Sequence, residues 1–546
     1  MIRYSFLLLM ALSLYMSPAE GQGFLRAKGR IIVNEKGEKV ILRGMGLGGW
    51  MLQESYMLRA GSIGQQHRIK EKIAELAGQE KTDQFYQGWL DNHTTKTDID
   101  SMAAWGFNSV RIPMHYRLLT NDKGFVMLDS LLSWCRTNKM YLILDMHAAP
   151  GGQGNDLNIS DRDPSKPSLW QSEANQQQMI ALWKTLAERY ANEPCIGGYD
   201  IINEPNWGFE DSADRRGTAE KTNAPLKKLM MDITKAIRGV DKRHIIIIEG
   251  NGFGNNYRGV LPPWDDNMVL SFHKYGNFNT EASIRNFLDL REKYNIPLWL
   301  GESGENSNTW FTEAIRLVET HDIGWSWWPL KKMGSNNPLE IKVPQGYQHM
   351  LDYWSGKGPK PTEKEAQNAL DELLVAVRCE NNIYHRDVTD AMFRQVYSDE
   401  AIPFKQHIIG DAPTTTIPAV EYDLGRQGVA YFDRDSASYQ YTPGVKTQGN
   451  RGRVYRNDGV DITRDSIGYH IFSIEDGEWL QYTVDVKKEG EYKIVTDTTG
   501  AGQISIYVDG KLMPVAGTHL SAGRRRIKVF ADKGGFLFYT LHFRRD

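Results

Sequence analysis

The chain has little cysteine, no charge imbalance and, beyond its N-terminus, no long apolar run. Its three Cys, Cys135, Cys195 and Cys379, are an odd number without metal-ligand spacing. They build neither a disulfide framework nor a zinc site, and none has an advertised base that would make it a nucleophile. They are expected as small buried side chains. Basic and acidic residues, 65 against 68, leave a formal net charge of -3 over 546 residues. No global field draws in nucleic acid or acidic lipid, and an uncharged partner fits better. There is no internal repeat and no low-complexity segment. Also missing are a GxSxG elbow and an HExxH helix. Those absences set aside a lipase-like hydrolase and a metal hydrolase.

The one apolar run, Tyr4 to Met16, follows Arg3 and precedes small residues suited to cleavage near Ala19 or Gly21. Residues 1–21 therefore read as a secretory signal peptide, too short to span a bilayer. No Cys follows to carry a lipid. Export without disulfides points to a secreted, periplasmic or cell-surface protein of bacterial type. The length exceeds one compact core, so two or more domains are expected. Fifteen Trp and 25 Tyr supply cores and, on the surface, flat faces for stacking.

Between residues 40 and 330, eight short β-type runs alternate with amphipathic helical stretches. The runs are VILRGMGL (40–47), SVRIPM (109–114), YLILDMH (141–147), GYDIINE (198–204), HIIIIEGN (244–251), MVLSFHKY (268–275), PLWLGES (297–303) and GWSWWPL (324–330). Segments such as 175–192 and 224–240 carry the helical period between them. Eight strands alternating with helices predict an α/β fold, a (β/α)8 TIM barrel, over residues 22–410 with a helical C-terminal extension. Residues 411–420, DAPTTTIPAV, read as a linker. From Glu421 to Asp546, short strands separated by Gly and Asp turns predict an all-β sandwich.

In such a barrel the C-terminal strand ends share one face, and that face carries chemistry. At those ends stand Arg111, His147, Asn203 with Glu204, His273 with Tyr275, Glu302, and the cluster Trp325, Trp327 and Trp328. Two acids on the fourth and seventh strands can face each other across the barrel mouth. Paired acids are what glycosidic cleavage needs, one protonating the leaving oxygen and the other meeting the oxocarbenium ion. Glu305 lies three residues into the loop after Glu302, so strand-end logic favours Glu302 over it, while Glu249 ends the fifth strand and is not excluded by that logic.

LRGMGLGGW, VRIPMHY, LDMHAAPGGQ, DIINEP, SFHKY, LGESGE and GWSWWPLK, in this order, resemble glycoside hydrolase family 5, a clan of retaining β-glycosidases. The resemblance implies Glu204 as general acid/base and Glu302 as nucleophile, and it sets Glu249 aside, since the fifth strand does not supply the nucleophile in that family. Asn203 would hold the 2-hydroxyl of the sugar, and Tyr275 and Arg111 would orient and stabilise Glu302. His147 and His273 would contact sugar hydroxyls or Glu204. Trp328 is the expected stacking platform, with Trp327 as the alternative. GMGLGGWMLQESYML is similar to the exo-β-1,3-glucanase branch, which implies that Glu54, helped by Asp156, grips the terminal sugar. Gly46 stands where that branch has Asn, and Ser55-Tyr56 replaces a Pro-Trp pair. The implied activity is retaining hydrolysis of β-linked glucan-type polysaccharide or oligosaccharide, exo-acting if Glu54 closes the cleft. An endo-acting cellulase or mannanase is the alternative, and a non-catalytic carbohydrate-binding barrel the reading from a different class.

IPAVEYDLGRQGVAYFD, YRNDGVDI and IEDGEWLQYTVDV resemble a family 6 carbohydrate-binding module over residues 421–546. That resemblance implies sugar stacking on Tyr469, with Trp479 in the core. Leu537 occupies the place of a sugar-holding Asn. No cofactor is expected, save a structural calcium that Glu421 would help to hold.

Overall fold

The computed structural model describes residues 22–211, 213–514 and 516–545. The expected signal peptide, 1–21, lies outside the described residues. Eight parallel strands close into a barrel. They are β1 (Arg43–Gly46), β2 (Ser109–His115), β3 (Tyr141–Ala148), β4 (Ile196–Asp200), β5 (Ile246–Ile248), β6 (Met268–Lys274), β7 (Leu298–Gly304) and β8 (Gly324–Trp328). Closure is made by β8 on β1, with Trp325 opposite Arg43 and Trp327 opposite Met45. Strands covered on both faces must be apolar throughout, which is why they read as runs rather than alternations.

The helices between them bury one stripe each. In Ala224–Val240, Pro225 opens the first turn, and Leu226, Leu229, Met230, Ile233 and Ile237 face inward at helical spacing. The lower end of the barrel is shut by an antiparallel hairpin, Arg26–Lys28 with Ile31–Val33. Leu25 and Ile32 pack there with Tyr141, Ile143, Ile245 and Ile247 from the strand starts. The upper end is left to the loops. The helical extension, Glu363–Ala376, joins the side of the barrel through Leu370 and Leu373 and the helices Gln66–Ala77 and Gln79–Asn92. Cys135 and Cys195 are buried thiols and Cys379 is partly buried, all unbridged. Among the described residues no helix is long and apolar enough to cross a membrane.

The C-terminal part forms two sheets around a core that includes Ile417, Tyr482, Ile494, Ile527 and Phe543. The stretch expected as a linker is largely part of this sandwich. Thr414–Pro418 pairs antiparallel with Phe536–Arg545, and His407–Ile409 pairs with Trp479–Val486. Three successive β-branched Thr favour extended chain, and Ile417 on the inward face fixes the register. Pro418 costs no ladder bond at the end of an edge strand.

The sandwich is fastened to the barrel loop that follows β7. Asn457 Nδ2 donates to the Asn306 carbonyl at 2.9 Å and to Asn308 Oδ1 at 3.0 Å. Asn308 Nδ2 in turn donates to Asp387 and Asp458. The hydroxyls of Thr309 and Tyr431 meet at 2.8 Å, all within buried surroundings.

Within the sandwich, burial and the neighbouring Glu478 carboxylate push Asp433 up to about 8. A carboxyl raised on folding gives its full stability below its unfolded pKa of about 3.9, and that stability is lost as pH rises through the folded value. Asp433→Asn, which keeps the acceptor for the Asp435 amide, is expected to raise the thermal midpoint at pH 8 and to leave it nearly unchanged at pH 4. Calorimetry at the two pH values checks this.

Candidate active site

The upper end of the barrel is organised on one guanidinium. Arg111 projects from β2 into the barrel axis and is fully buried. Its Nη1 donates to Glu302 Oε2 at 2.9 Å, its Nε to Asp200 Oδ2 at 2.9 Å and its Nη2 to Asn203 Oδ1 at 2.7 Å. Asp145 and Glu249 lie at 3.2 and 3.3 Å. Asp145 also accepts from His147 Nδ1 at 2.7 Å. That contact sets the tautomer, leaving Nε2 as acceptor for Asn203 Nδ2 at 3.3 Å. Burial favours the neutral acid at Asp200, and Glu249 and Asp145 add to it against Arg111, so Asp200 is held well above the carboxylate range.

The two predicted acids are brought together. Glu302, on β7, accepts from Arg111 through one oxygen and from the Tyr275 hydroxyl, at 2.7 Å, through the other. Burial and the Glu302 charge push the Tyr275 phenol well up, so it stays a donor. Glu204 accepts from His273 Nδ1 at 2.7 Å, and His273 Nε2 faces Glu249 at 3.1 Å. An oxygen of Glu204, a nitrogen of His273 and an oxygen of Glu302 all lie within 4.8 Å of one another. Such a set could attract a metal, yet both His273 nitrogens already face carboxylates. Burial disfavours the imidazolium, but Glu249, Glu302 and Glu204 outweigh it and hold His273 well above its ordinary value. A protonated His273 has no lone pair for a metal.

Burial and the Glu302 charge raise the Glu204 carboxyl, against the pull of His273. Its backbone is unusual as well. Glu204 sits at φ 42°, a left-handed conformation that costs an L-residue about 1–2 kcal/mol. The Glu204 N–H donates to Glu249 Oε2 at 2.7 Å, and its carbonyl accepts from Asn206 Nδ2 at 2.9 Å. Burial favours neutral Glu249, but His273 and Arg111 overcome it and keep this acid below its ordinary range.

Glu54 reaches the same mouth from the loop after β1. It is buried, and its carboxylate has no hydrogen bond among the described residues. Burial first, then Glu302, Glu204, Glu305 and Asp156, raise it well above the ordinary carboxylate value. Asp156 is partly buried and its amide donates to Asn206 Oδ1 at 2.7 Å. Trp328 lies flat on His147, with ring centroids 5.0 Å apart and planes at 9°. Trp327, the alternative platform, is core: it packs among Phe311, Trp310 and Trp325. Gly46 and Gly48 are explained by the same ring, since an added Cβ would stand 2.4 and 2.7 Å from Trp328 atoms. Trp328 Nε1 donates to the Tyr56 hydroxyl at 3.0 Å, and Tyr56 donates to Glu305 Oε1 at 3.2 Å. Glu305 itself is paired with Lys332 in the loop wall.

Sequence reasoning missed Asp145, Asp200 and Tyr56 as members of this network and set Glu249 aside. The available signal was an acid inside a wholly apolar strand, in YLILDMH, GYDIINE and HIIIIE. In the sandwich, Tyr469 is half-buried, with its ring 4.9 Å from that of Tyr455 and beside Arg464. Trp479 is partly exposed rather than core, with Lys528 Nζ 3.9 Å from its ring centre. Leu537 lies in the strand opposite Thr499. Glu421 accepts from Lys405 and from Tyr455 at 3.1 Å.

A closed (β/α)8 barrel with two carboxyls and an amide at its strand ends and a buried arginine beneath them, inside β2, is the architecture of a glycoside hydrolase. The model of cellulase (glycosyl hydrolase family 5) matches residues 69–334, and that of the family 6 carbohydrate-binding module matches 453–525. A β-xylosidase of Phanerodontia chrysosporium is 31% identical over 60% of this chain and 75% of its own length. Endoglucanase C of Acetivibrio thermocellus is 25% identical over 46% of this chain and 87% of its own. A probable glucan 1,3-beta-glucosidase A of Aspergillus clavatus is 31% identical over 48% and 61%. The chain belongs to glycosyl hydrolase family 5 and carries a C-terminal family 6 carbohydrate-binding module.

The Glu249 contacts predict an asymmetry between two substitutions. Glu249→Ala removes the acceptor that holds the strained Glu204 backbone and is expected to lower kcat about 100-fold, the order of loss that a displacement of about 1 Å causes in an active site. Glu249→Gln keeps an acceptor oxygen and should lose clearly less. Steady-state kinetics of the two variants checks the order.

Proposed function

We propose that this enzyme is an exported retaining β-glycosidase that releases sugars from the end of β-linked glucan-type chains. The observation that carries the reading is the division of environments between two acids whose oxygens approach within 4.8 Å. Retaining enzymes set their carboxyls about 5–5.5 Å apart, and inverting ones leave room for a water at about 6.5–9.5 Å. Glu302, hydrogen-bonded by Arg111 and Tyr275, is the nucleophile that attacks the anomeric carbon. Glu204, raised by burial and by Glu302, is the acid that protonates the leaving oxygen. Once the glycosyl-enzyme forms, the Glu302 charge is gone, the Glu204 carboxyl becomes more acidic, and it can act as base toward the incoming water.

Asn203 is held from both sides, its oxygen by Arg111 and one amide hydrogen by His147. The remaining hydrogen has no partner among the described residues and is available to the sugar 2-hydroxyl, the contact that strengthens toward the transition state. His147 and Trp328 form one stacked wall of the sugar pocket. Glu54, aided by Asp156, takes hydroxyls of the terminal sugar. A buried carboxyl with no protein partner is costly unless a ligand satisfies it, and this supports a closed pocket. The signal-like N-terminus supports export.

Glu204→Gln and Glu302→Gln are each expected to lower kcat on a β-glucan oligosaccharide by about 100-fold or more. For the Glu204 variant kcat/KM, which reports glycosylation, should recover with a dinitrophenyl glycoside, whose leaving group needs no proton, while kcat stays low because the base for deglycosylation is gone; equal loss of kcat/KM on both substrates would sink the acid assignment. In the parent enzyme kcat/KM falls as pH rises through the raised Glu204 value, because the deprotonated form cannot donate. That limb should vanish with the dinitrophenyl glycoside.

Product chromatography tests the closed pocket. Monosaccharide alone at early times is expected from the parent, and Glu54→Ala should raise KM for short oligosaccharides. A ladder of oligomers from the parent enzyme would mean internal cleavage.

A further inference from the structure

The loop region 433–457 of the sandwich does more than touch the barrel. It bridges the two barrel loops that carry the groups around Glu302. After β7, Asn306 Nδ2 donates to the Ser438 carbonyl at 2.7 Å and Asn306 Oδ1 accepts from the Ser438 amide at 3.0 Å. After β6, the Tyr441 amide donates to the Gly276 carbonyl at 2.8 Å, one residue beyond Tyr275. An aromatic ring comes with that contact: a Cβ on Gly276 would stand 3.0 Å from Tyr441 Cδ2, and Tyr441 is 65% exposed.

Barrel and sandwich together enclose a cavity of about 500 Å³, within the size range of ligand sites. It adjoins the catalytic mouth through Tyr56, which lines it and is hydrogen-bonded to Trp328. Arg59 and Arg453 line it from the two sides, and neither pairs with a carboxylate among the described residues. Gln440 and Gln448 enter it from the sandwich, exposed and with carboxamides that make no hydrogen bond among the described residues. Unspent donors and acceptors in a concave wall, with the exposed ring of Tyr441 next in the chain to the lining residue Gln440, match a ligand that is rich in hydroxyls and has flat C–H faces.

We propose that the sandwich builds part of the substrate cleft itself, and that this shared cavity is a subsite for a further sugar unit of the chain held at Glu204 and Glu302. The proposal rests on the glycosidase reading. Tyr441 stacks on that sugar, and Gln440, Gln448 and Arg453 hydrogen-bond its hydroxyls. The site is distinct from the aromatic surface around Tyr469, whose ring is already packed against Tyr455. On this view the module sets the preferred length of substrate instead of acting only as an independent anchor.

The test compares Tyr441→Ala and the double variant Gln440→Ala/Arg453→Ala with the parent on an aryl β-monoglycoside and on oligosaccharides from disaccharide to hexasaccharide. The expected result is a loss of kcat/KM on the long substrates about tenfold greater than on the monoglycoside, the effect of one stacking contact worth roughly 1.4 kcal/mol. Tyr441→Phe, which keeps the ring, should restore it and controls for folding. Equal losses at every chain length, or none, would overturn the subsite. Dissociation constants of the same oligosaccharides, measured by calorimetry on Glu302→Gln with and without Tyr441→Ala, separate the two claims. If the parent cleaves no β-glycoside but Tyr441→Ala still weakens binding of long chains, the glycosidase reading fails and the subsite stands. If cleavage is robust and both binding and turnover ignore Tyr441, the subsite alone fails.

Discussion

A single positive charge inside a barrel cannot stand without counter-charges, and Arg111 has more carboxyls around it than it can neutralise. Asp145, Asp200, Glu249 and Glu302 all lie within 3.3 Å of its guanidinium. They come from β3, β4, the end of β5, and β7. Opposite charges at this distance in a low-dielectric interior attract strongly, while the carboxyls repel one another. The result is a set of strand ends whose side-chain positions are fixed against each other. Each functional group then hangs from a member of that set: Asn203 on Arg111, His147 on Asp145, Glu204 on Glu249. Removing Arg111 would leave several buried acids uncompensated, which is more damaging than the loss of any one contact.

The same crowding divides the labour of the acids. Charge is shed where it is least supported. Asp200 and Glu204 are raised by burial and by their neighbours, and Glu249 is kept ionised by His273 and Arg111. His273 carries a second positive charge into the cluster, so its proton is part of the same balance. The strain at Glu204 belongs to this arrangement. A left-handed backbone at the acid turns its side chain into the mouth, and Glu249 both accepts its N–H and anchors the imidazolium that holds its carboxyl. Position and protonation are thus controlled by one residue on a neighbouring strand.

Much of this was legible because barrel periodicity is strong. Eight apolar runs mark the eight strands, and the strand-end rule then selects His147, Asn203, Glu204, His273, Tyr275 and Glu302 without knowledge of any contact, whereas Arg111 lies inside β2, third of its seven residues. What stayed hidden were residues whose meaning is purely non-local. Asp145 and Asp200 look like isolated acids in apolar strands until Arg111 is placed between them. Tyr56 reads as a loop aromatic until Trp328, 272 positions away, donates to it. The Thr-rich stretch after residue 411 reads as a linker because its strand partner, Phe536–Arg545, lies more than a hundred residues later. Trp327 and Trp328 are neighbours in sequence, and only the alternation of β8 sends one to the core and the other to His147.

The attachment of the sandwich follows from unsatisfied polarity rather than from apolar area. Asn308, Asp387, Asn457 and Asp458 are buried and serve one another across the junction. Arg456 is fully buried behind them, its guanidinium against Asp458 and over the Tyr422 ring at 3.7 Å. Separating the two units would strand these groups, at about 1–3 kcal/mol for each one left unpaired and more for the charges. Ordinary inter-domain surfaces permit relative motion; a junction of this kind opposes it. Because Asn306 lies on the loop that leaves β7 and Asn308 opens the helix that follows it, the side of the barrel bearing Glu302 is braced from outside as well as from the Arg111 cluster within. The loop that carries Gln440 and Tyr441 is tied to that same side, through Ser438 to Asn306 and through the Tyr441 amide to Gly276, so a change in its path bears on the loops beside Glu302 and Tyr275.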